Sequence, residues 1–433
     1  MAEFTPFAGL RYNAEKVDVS STIAPPYDVI KGNMRDDLVA RSQYNVVEVE
    51  LPAGDDDSKY AAAKQFLHEW ETAGVLVRDD ASFYAYEQEF TVPGTSVKKK
   101  RRGVLGALCL EEFGKGVQPH EHTLSGPKED RLKLLRATHT NTSPIFGLFA
   151  DNDGWVGSLL DVACGGKPVC EAVDNEGVVH RLWILDDDES VNAVVAALED
   201  EPVLIADGHH RYETALNYRN ERQAEMGAAW TGAELENYVL MMCVSTQDTG
   251  LIVLPTHRLV KGASPDEIRR LDKALSLYFA IEPVDADAAG LMQRVNEVST
   301  GTRLGMHVGG QSYLLTLHPD GPHAAAMGTD RSAAYNALDV SILHTIILDQ
   351  EFGIDAAALA AGNRVSYTID AAEAIRKVDA GEYDVAFLLR PTPVEQVQEV
   401  AAAGDKMPQK STYFYPKLAT GLVLRPLDHE AQA

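Results

Sequence analysis

Cysteine is scarce in this chain, with Cys109, Cys164, Cys170 and Cys243 the four examples in 433 residues. Four thiols so scattered make no disulfide framework, and without a Cys-x-x-Cys pair a structural zinc is not expected. A reducing compartment fits. Long apolar runs are missing too. Nowhere do about 18 apolar residues follow one another, and the start Met1-Ala2-Glu3-Phe4-Thr5-Pro6 places no basic residues ahead of an apolar stretch. The expectation is a cytoplasmic protein that is neither exported nor inserted in a membrane. Positive charge is in short supply, with 39 Lys and Arg against 65 Asp and Glu and a formal net charge of -26. Such a surface repels polyanions, so neither nucleic acid nor an acidic membrane is expected as a partner. A small-molecule substrate is, and a homo-oligomer remains open. No Gly-x-x-x-x-Gly-Lys-Ser/Thr loop occurs, which excludes a P-loop kinase at motif level. Internal repeats, low-complexity tracts and Ser/Thr/Asn-rich linkers are also absent, so closely packed domains are expected.

What is present is a 45% apolar chain, long enough for a large core and for more than one domain. Strand-like and helical segments succeed one another at 44–51, 58–73 and 82–92. Short strands broken by Gly and Asp are expected over 145–185, a helix over 189–198, and strands at 238–244 and 251–254. Helices at 265–278 and 337–348 then alternate with strands at 312–317, 385–390 and 420–424. The class is mixed α/β (α+β).

Against the acidic background, four gatherings of cations stand out. Lys98-Lys99-Lys100-Arg101-Arg102 follows a Pro93-Gly94-Thr95-Ser96 turn and reads as the solvated tip of a hairpin, or else as a basic patch. Pro119-His120-Glu121-His122 lies on a loop ahead of a helix through 128–136, where Lys128 and Arg131 sit. On an extended segment His120 and His122 share one side and Glu121 faces the other. Further ligands for a metal are lacking at that spacing, so acid/base or anion chemistry ranks above zinc there.

The third gathering is the strongest. Glu201-Pro202-Val203-Leu204-Ile205-Ala206 is a short buried-type strand that runs into Asp207-Gly208-His209-His210-Arg211, and a helical pattern follows from Tyr212. At a strand, Gly turn, helix junction the first helical N–H groups have no internal partner and the dipole places positive charge there. Gly208 lets the backbone come close to an anion, His209 and His210 can donate hydrogen bonds, and Arg211 offers a planar fork. Asp207 could hold a metal ion or orient a histidine. The fourth is the loop 404–417, where Lys410, Ser411, Thr412 and Lys417 mingle with aromatics. It is either a closing loop over a ligand or a packed connection to the last strand. His257-Arg258, at another strand end, is a secondary candidate.

The Pro-His-Glu loop followed by the Asp-Gly-His-His-Arg box resembles the paired motifs of the ParB/sulfiredoxin-like free L-serine kinases. Over nearly its full length, through Pro25-Pro26-Tyr27-Asp28, Lys128-Glu129-Asp130-Arg131, the box and 407–417, the chain resembles the family catalogued as domain of unknown function 1015. The resemblance implies a ParB/sulfiredoxin-like core with a mixed sheet at 116–260. An N-terminal α/β region at 1–115 would precede it, and a closely packed C-terminal α/β region at 261–433 would close the site. It further implies Glu121 as general base, His120 near the transferred phosphoryl group, and 207–211 as the binding loop for donor phosphates, with His210 taking part in catalysis. His122, Lys128, Arg131, His257, Arg258, Lys410, Ser411, Thr412 and Lys417 are candidate substrate contacts. ATP, ADP or pyrophosphate would be the donor, with Mg²⁺ bridging its phosphates, and a small alcohol, most simply free L-serine, the acceptor. The alternative is a regulatory or scaffold protein that binds a nucleotide or anion without turnover. Sulfiredoxin-type redox chemistry needs a cysteine where the box has His209 and His210.

Overall fold

A computed structural model describes residues 3–121, 123, 125–199, 201–297 and 301–428. The chain separates into two compact units, one of Met1–Pro119, Thr123–Ile252 and Pro416–Ala433, the other of His120–His122 and Val253–Tyr415. The regions expected at 1–115 and 116–260 share one sheet up to Tyr238–Ser245, whereas His257–Val260 belongs to the second unit. No helix among the described residues is long and apolar enough to cross a membrane.

The first unit is built on a ten-stranded mixed sheet. Its long central hairpin pairs Leu76–Thr91 with Lys98–Cys109, and Tyr238–Ser245 adds to the latter. Ile145–Phe149 lies parallel to Tyr238–Ser245, and Val203–Asp207 runs antiparallel to Ile145–Phe149 and parallel to the edge strand Val117–Pro119. The central strands are buried on both faces, which explains runs such as Phe83 to Tyr86 and Val239 to Val244 in place of simple alternation.

Several expectations change here. Lys98–Arg102 is not a hairpin tip but the first half of a strand, and the turn is the stretch 92–97 before it. Period-two alternation then buries Arg101 while Lys100 and Arg102 reach Glu87 on the other face. The β-branched stretch at 44–51 forms a short helix, Val47–Glu50. Asn45 accounts for it: its amide donates to the carbonyls of Ser21 and Ile23 at 2.8 and 3.1 Å, and its side-chain oxygen accepts the Val47 N–H at 3.0 Å. Between 145 and 185 a helix, Trp155–Ala163, interrupts the strands. Thr420 and Leu424 make only isolated bridges, since Gly421 at φ +99° breaks the extended run between them.

The second unit is a six-stranded sheet, antiparallel throughout, in the order Phe279–Val284, Gln311–Leu317, Arg303–Val308, Val385–Leu388, His257–Val260, Val365–Thr368. Helices Ala288–Asn296 and Ala371–Asp379 cover it through Leu291, Val295, Ala374 and Val378. The helix expected at 337–348 is one α-turn, Asp339–Ile342, continued as a π-helix, Leu343–Asp349.

Candidate functional site

In the first unit the strand Val203–Asp207 delivers Asp207 to the edge of the core. A bulge between Ile205, paired with Gly147, and Asp207, paired with Phe146, shifts the register of its ladder with Ile145–Phe149. Gly208 follows at φ +94°, where a β-carbon would also stand 3.0 Å from the Arg211 guanidinium. Only glycine meets both conditions without strain. The helix His209–Met226 begins directly after it, and Gly208 as N-cap offers no side chain. The Tyr212 N–H is bonded to the Gly208 carbonyl at 3.0 Å, so the amides of His209, His210 and Arg211 lie ahead of the first intrahelical bond. Eighteen helical residues put their positive end at this turn. His209 is buried and His210 half-buried.

Asp207 sits between two cations. One carboxylate oxygen accepts from Lys417 Nζ at 2.7 Å and the other from Arg211 Nη2 at 2.9 Å. Arg211 spends Nη1 on the Pro144 carbonyl and, at 3.5 Å, on Ser143 Oγ. Part of its fork is therefore spent on holding the turn together. Lys417 in turn is anchored from the sheet. Gln88 donates to the Lys417 carbonyl at 2.9 Å, and fully buried Arg101 donates to the Pro416 carbonyl at 2.5 Å. The Arg101 guanidinium lies over the Phe146 ring at 4.5 Å and also bonds Gln88. Burial pulls its pKa down to about 10, opposed by Tyr86 and by the carboxylates of Asp248 and Asp207.

Lys128 and Arg131 belong to the same unit. Lys128 Nζ pairs with Glu213 at 2.6 Å on the helix that starts at His209. Arg131, nearly buried, bonds Asp130 and the Glu50 carbonyl and packs on the Tyr27 ring at 4.5 Å. Burial raises the Tyr27 phenol to about 12, with Arg211 and Arg131 pulling the other way. Tyr27, Glu50, Gln88 and Arg101 are participants that spacing did not reveal, although Tyr27 lies in the Pro-Pro-Tyr-Asp run noted above.

The second unit holds the other set. His120 is buried, with Nε2 3.0 Å from Thr412 Oγ1 and the ring edge-on to Phe414. Its carbonyl accepts the Met407 N–H at 2.8 Å. Glu121 bridges in parallel to Met407, and its Oε1 accepts the Ser411 N–H at 3.2 Å. The loop of Lys410, Ser411 and Thr412 is thus what positions His120 and Glu121. Lys410 itself takes a left-handed backbone, φ +58°. A non-glycine residue in that region is strained and persists only where its surroundings hold it.

Arg258 does that holding. Fully buried, it donates from Nη2 to the carbonyls of Lys410 at 2.9 Å and Gln409 at 3.4 Å, and from Nη1 to that of Thr256. Nε donates to His344 Nε2 at 3.3 Å, and Tyr367 covers the guanidinium at 5.4 Å. Burial and the neighbouring charge of Arg258 hold His344 neutral, well below its usual range. His257 accepts the Leu389 N–H on Nδ1 at 3.2 Å, and burial, then Arg258, lowers it to about 4. His257 and Arg258, expected as substrate contacts, are both buried, His257 bonded to Leu389 and Arg258 buttressing the loop at Gln409 and Lys410. His344, carried on the π-helix, and Tyr367 were not foreseen. His122 lies outside the described residues.

The box residues, Lys128, Arg131 and Lys417 are therefore brought together in one unit, and His120, Glu121, His257, Arg258, Lys410, Ser411 and Thr412 in the other. For a metal, the donor set is poor. Among the described residues no three or more His, Cys, Asp or Glu side chains gather as a cation site, and Asp207 already has Lys417 and Arg211 on its oxygens. The residues present do not fit a protein-held Mg²⁺ at Asp207.

A family model described as "Protein of unknown function (DUF1015)" matches residues 4–341. No curated protein matches. Among solved structures, a conserved hypothetical protein from Pyrococcus furiosus is similar at 14% identity and TM-score 0.35, covering 72% of this chain and 92% of its own. A free serine kinase in complex with AMP is similar at 13% and 0.33, covering 69% and 83%. SbnI with C-terminal truncation from Staphylococcus aureus is similar at 10% and 0.34, covering 75% and 90%.

Proposed function

This chain belongs to the DUF1015 family, and from that premise we propose that it is a phosphotransferase that moves a phosphoryl group from ATP, ADP or pyrophosphate to a small alcohol, with free L-serine the leading acceptor. The observation that carries the reading is the turn at Gly208, where a long helix presents its N-terminus and Lys417 is fixed beside it through Asp207. Phosphoryl transfer asks the protein mainly to position its reactants and to stabilise charge on non-bridging oxygens. Helix amides, a helix dipole and an anchored ammonium meet the second need. The Asp-Gly-His-His-Arg box and its Pro-His-Glu companion, which resemble those of free L-serine kinases, support the choice of reaction.

In this reading Glu121 takes the proton of the acceptor hydroxyl. The Ser411 N–H fixes one carboxylate oxygen and turns the other toward the acceptor. His120, oriented by Thr412, donates to the transferred group. The oxygen of the serine hydroxyl forms the new bond to phosphorus as the bond to the donor's bridging oxygen breaks, and the proton ends on Glu121.

Phosphorus NMR tests this directly, with purified protein, Mg²⁺, L-serine and each donor in separate reactions. O-phosphoserine should form with one of the donors. Glu121→Gln should abolish it while leaving phosphate-ligand binding, and His210→Ala should weaken that binding. Consumption of no donor by wild-type protein that still binds phosphate ligands would replace this reading with that of a non-catalytic anion binder.

A further inference from the structure

Behind the Gly208 turn the first unit has a half-open cavity of about 50 Å³. One water occupies roughly 10–15 Å³ on this measure, so the space suits a group of about five heavy atoms. Its polar wall is Glu50, Arg131, Thr142, Ser143, Arg211 and Thr214, over an aliphatic floor.

Acceptors in this wall are used up and donors are not. The Thr142 hydroxyl donates to Glu50 Oε2, the Ser143 hydroxyl donates to Oε1 at 3.1 Å, and Arg131 stands 3.8 Å from the same carboxylate, which is only 1% exposed. Both Glu50 oxygens thus already have donors from the protein. A guanidinium carries five N–H groups. Arg211 spends three, on Pro144, Ser143 and Asp207, and Arg131 spends three, two on Asp130 and one on Glu50. Among the described residues that leaves two on each. Thr214, 3% exposed and one turn beyond Arg211, keeps a buried hydroxyl with no hydrogen-bond partner in the protein. A buried polar group is ordinarily satisfied, by water or ligand where protein does not reach it. Both guanidinium groups are already paired with carboxylates, so what the wall offers is spare donors, and a ligand surfaced with acceptor oxygens satisfies them.

We propose that this cavity binds a tetrahedral oxyanion of phosphate size, held by Arg131, Arg211 and the Thr214 hydroxyl, as a site distinct from the turn at Gly208. The two sites share Arg211, so occupancy of the inner one steadies the guanidinium that clamps Asp207. The inference goes beyond the phosphotransfer reading and stands without it. Absence of phosphoserine in the NMR experiment leaves it untouched.

The test is binding of inorganic phosphate, by calorimetry, to His210→Ala protein, in which the outer site is weakened. Phosphate should still bind, one per chain. Adding Thr214→Val, which swaps a hydroxyl for a methyl of the same shape, should weaken it at least fivefold, whereas Thr214→Ser should retain it. Circular dichroism and unfolding temperature confirm that each variant is folded. The proposal is overturned if His210→Ala protein takes up no phosphate, or if Thr214→Val binds within fivefold of its parent.

Discussion

Replacing Lys417 with methionine removes the ammonium 2.7 Å from Asp207 while keeping the length of the stem. At an effective dielectric constant of about 20, two unit charges at that distance attract by roughly 6 kcal/mol, before desolvation and side-chain ordering are subtracted. The two side chains are 16% and 20% exposed, so screening by solvent is partial. Hydrogen bonds to charged groups retain about 1.5–3 kcal/mol after those costs, and about 2 kcal/mol is expected here. A double-mutant cycle isolates it. Lys417→Met and Asp207→Asn should each destabilise by about 2 kcal/mol, and the double variant should cost about as much as either alone. All four tryptophans, Trp70, Trp155, Trp183 and Trp230, lie in the first unit. Urea unfolding followed by their fluorescence therefore reports on the unit that contains the pair. Phosphate affinity separates two roles of the lysine. If Lys417 gives its charge to the ligand as well as to Asp207, the double variant regains stability relative to additivity but not affinity. A coupling energy below about 0.5 kcal/mol would refute the clamp as drawn.

Gly208→Ala forces a β-carbon into a left-handed backbone and against Arg211, and should cost about 1–2 kcal/mol by the same fluorescence readout, with weaker phosphate binding. Arg258→Met strips the carbonyls of Thr256 and Lys410 of their donor, so the Ser411 amide, read by hydrogen exchange, should lose protection by about tenfold or more. Acid should weaken the second unit. His257, held near 4 in the fold against about 6.5 unfolded, binds fewer protons folded than unfolded in that interval, so its contribution is full above 6.5 and is lost as pH falls toward 4. The ceiling is about 3 kcal/mol, and His344 acts in the same direction. Thermal unfolding by circular dichroism from pH 7 to 4 should show the loss, and His257→Asn, whose amide oxygen can replace Nδ1, should flatten it.

How far the sequence disclosed this architecture depends on the range of the interactions that decide each element. The strand, glycine, helix junction at 203–226 was legible because all its causes are local: a buried apolar run, a residue free to take φ +94°, and helical spacing after it. Local pattern misled where a distant partner decides. Val46-Val47-Glu48-Val49 has strand composition, and only the two carbonyls of Ser21 and Ile23, which fix Asn45, make it helical. Five cations in a row at 98–102 suggest full solvation. The buried one among them is explained by Phe146, Gln88 and Pro416, none adjacent in sequence.

The candidate site shows the same division more sharply, because its residue types were legible and their roles were not. Arg211 and Arg258 were both read as ligand contacts, a sound inference for arginine beside histidine when nothing is known of nearby carbonyls. Each instead meets backbone oxygens from segments far along the chain: Pro144 for the first, Gln409 and Lys410 for the second. A buried guanidinium has five donors to satisfy, and loop carbonyls left over from irregular backbone are abundant acceptors for them. That chemistry makes both arginines struts for backbone far along the chain, with two N–H groups left over on Arg211 among the described residues. It also explains why 404–417, which has neither helical nor strand periodicity, can still be ordered. Arg258 holds the carbonyls of 409 and 410, Ser411 and Thr412 are tied to Glu121 and His120, and Arg101 and Gln88 hold the carbonyls of 416 and 417. Within each unit, side-chain donors thus take the place of a ladder for the irregular part of this backbone.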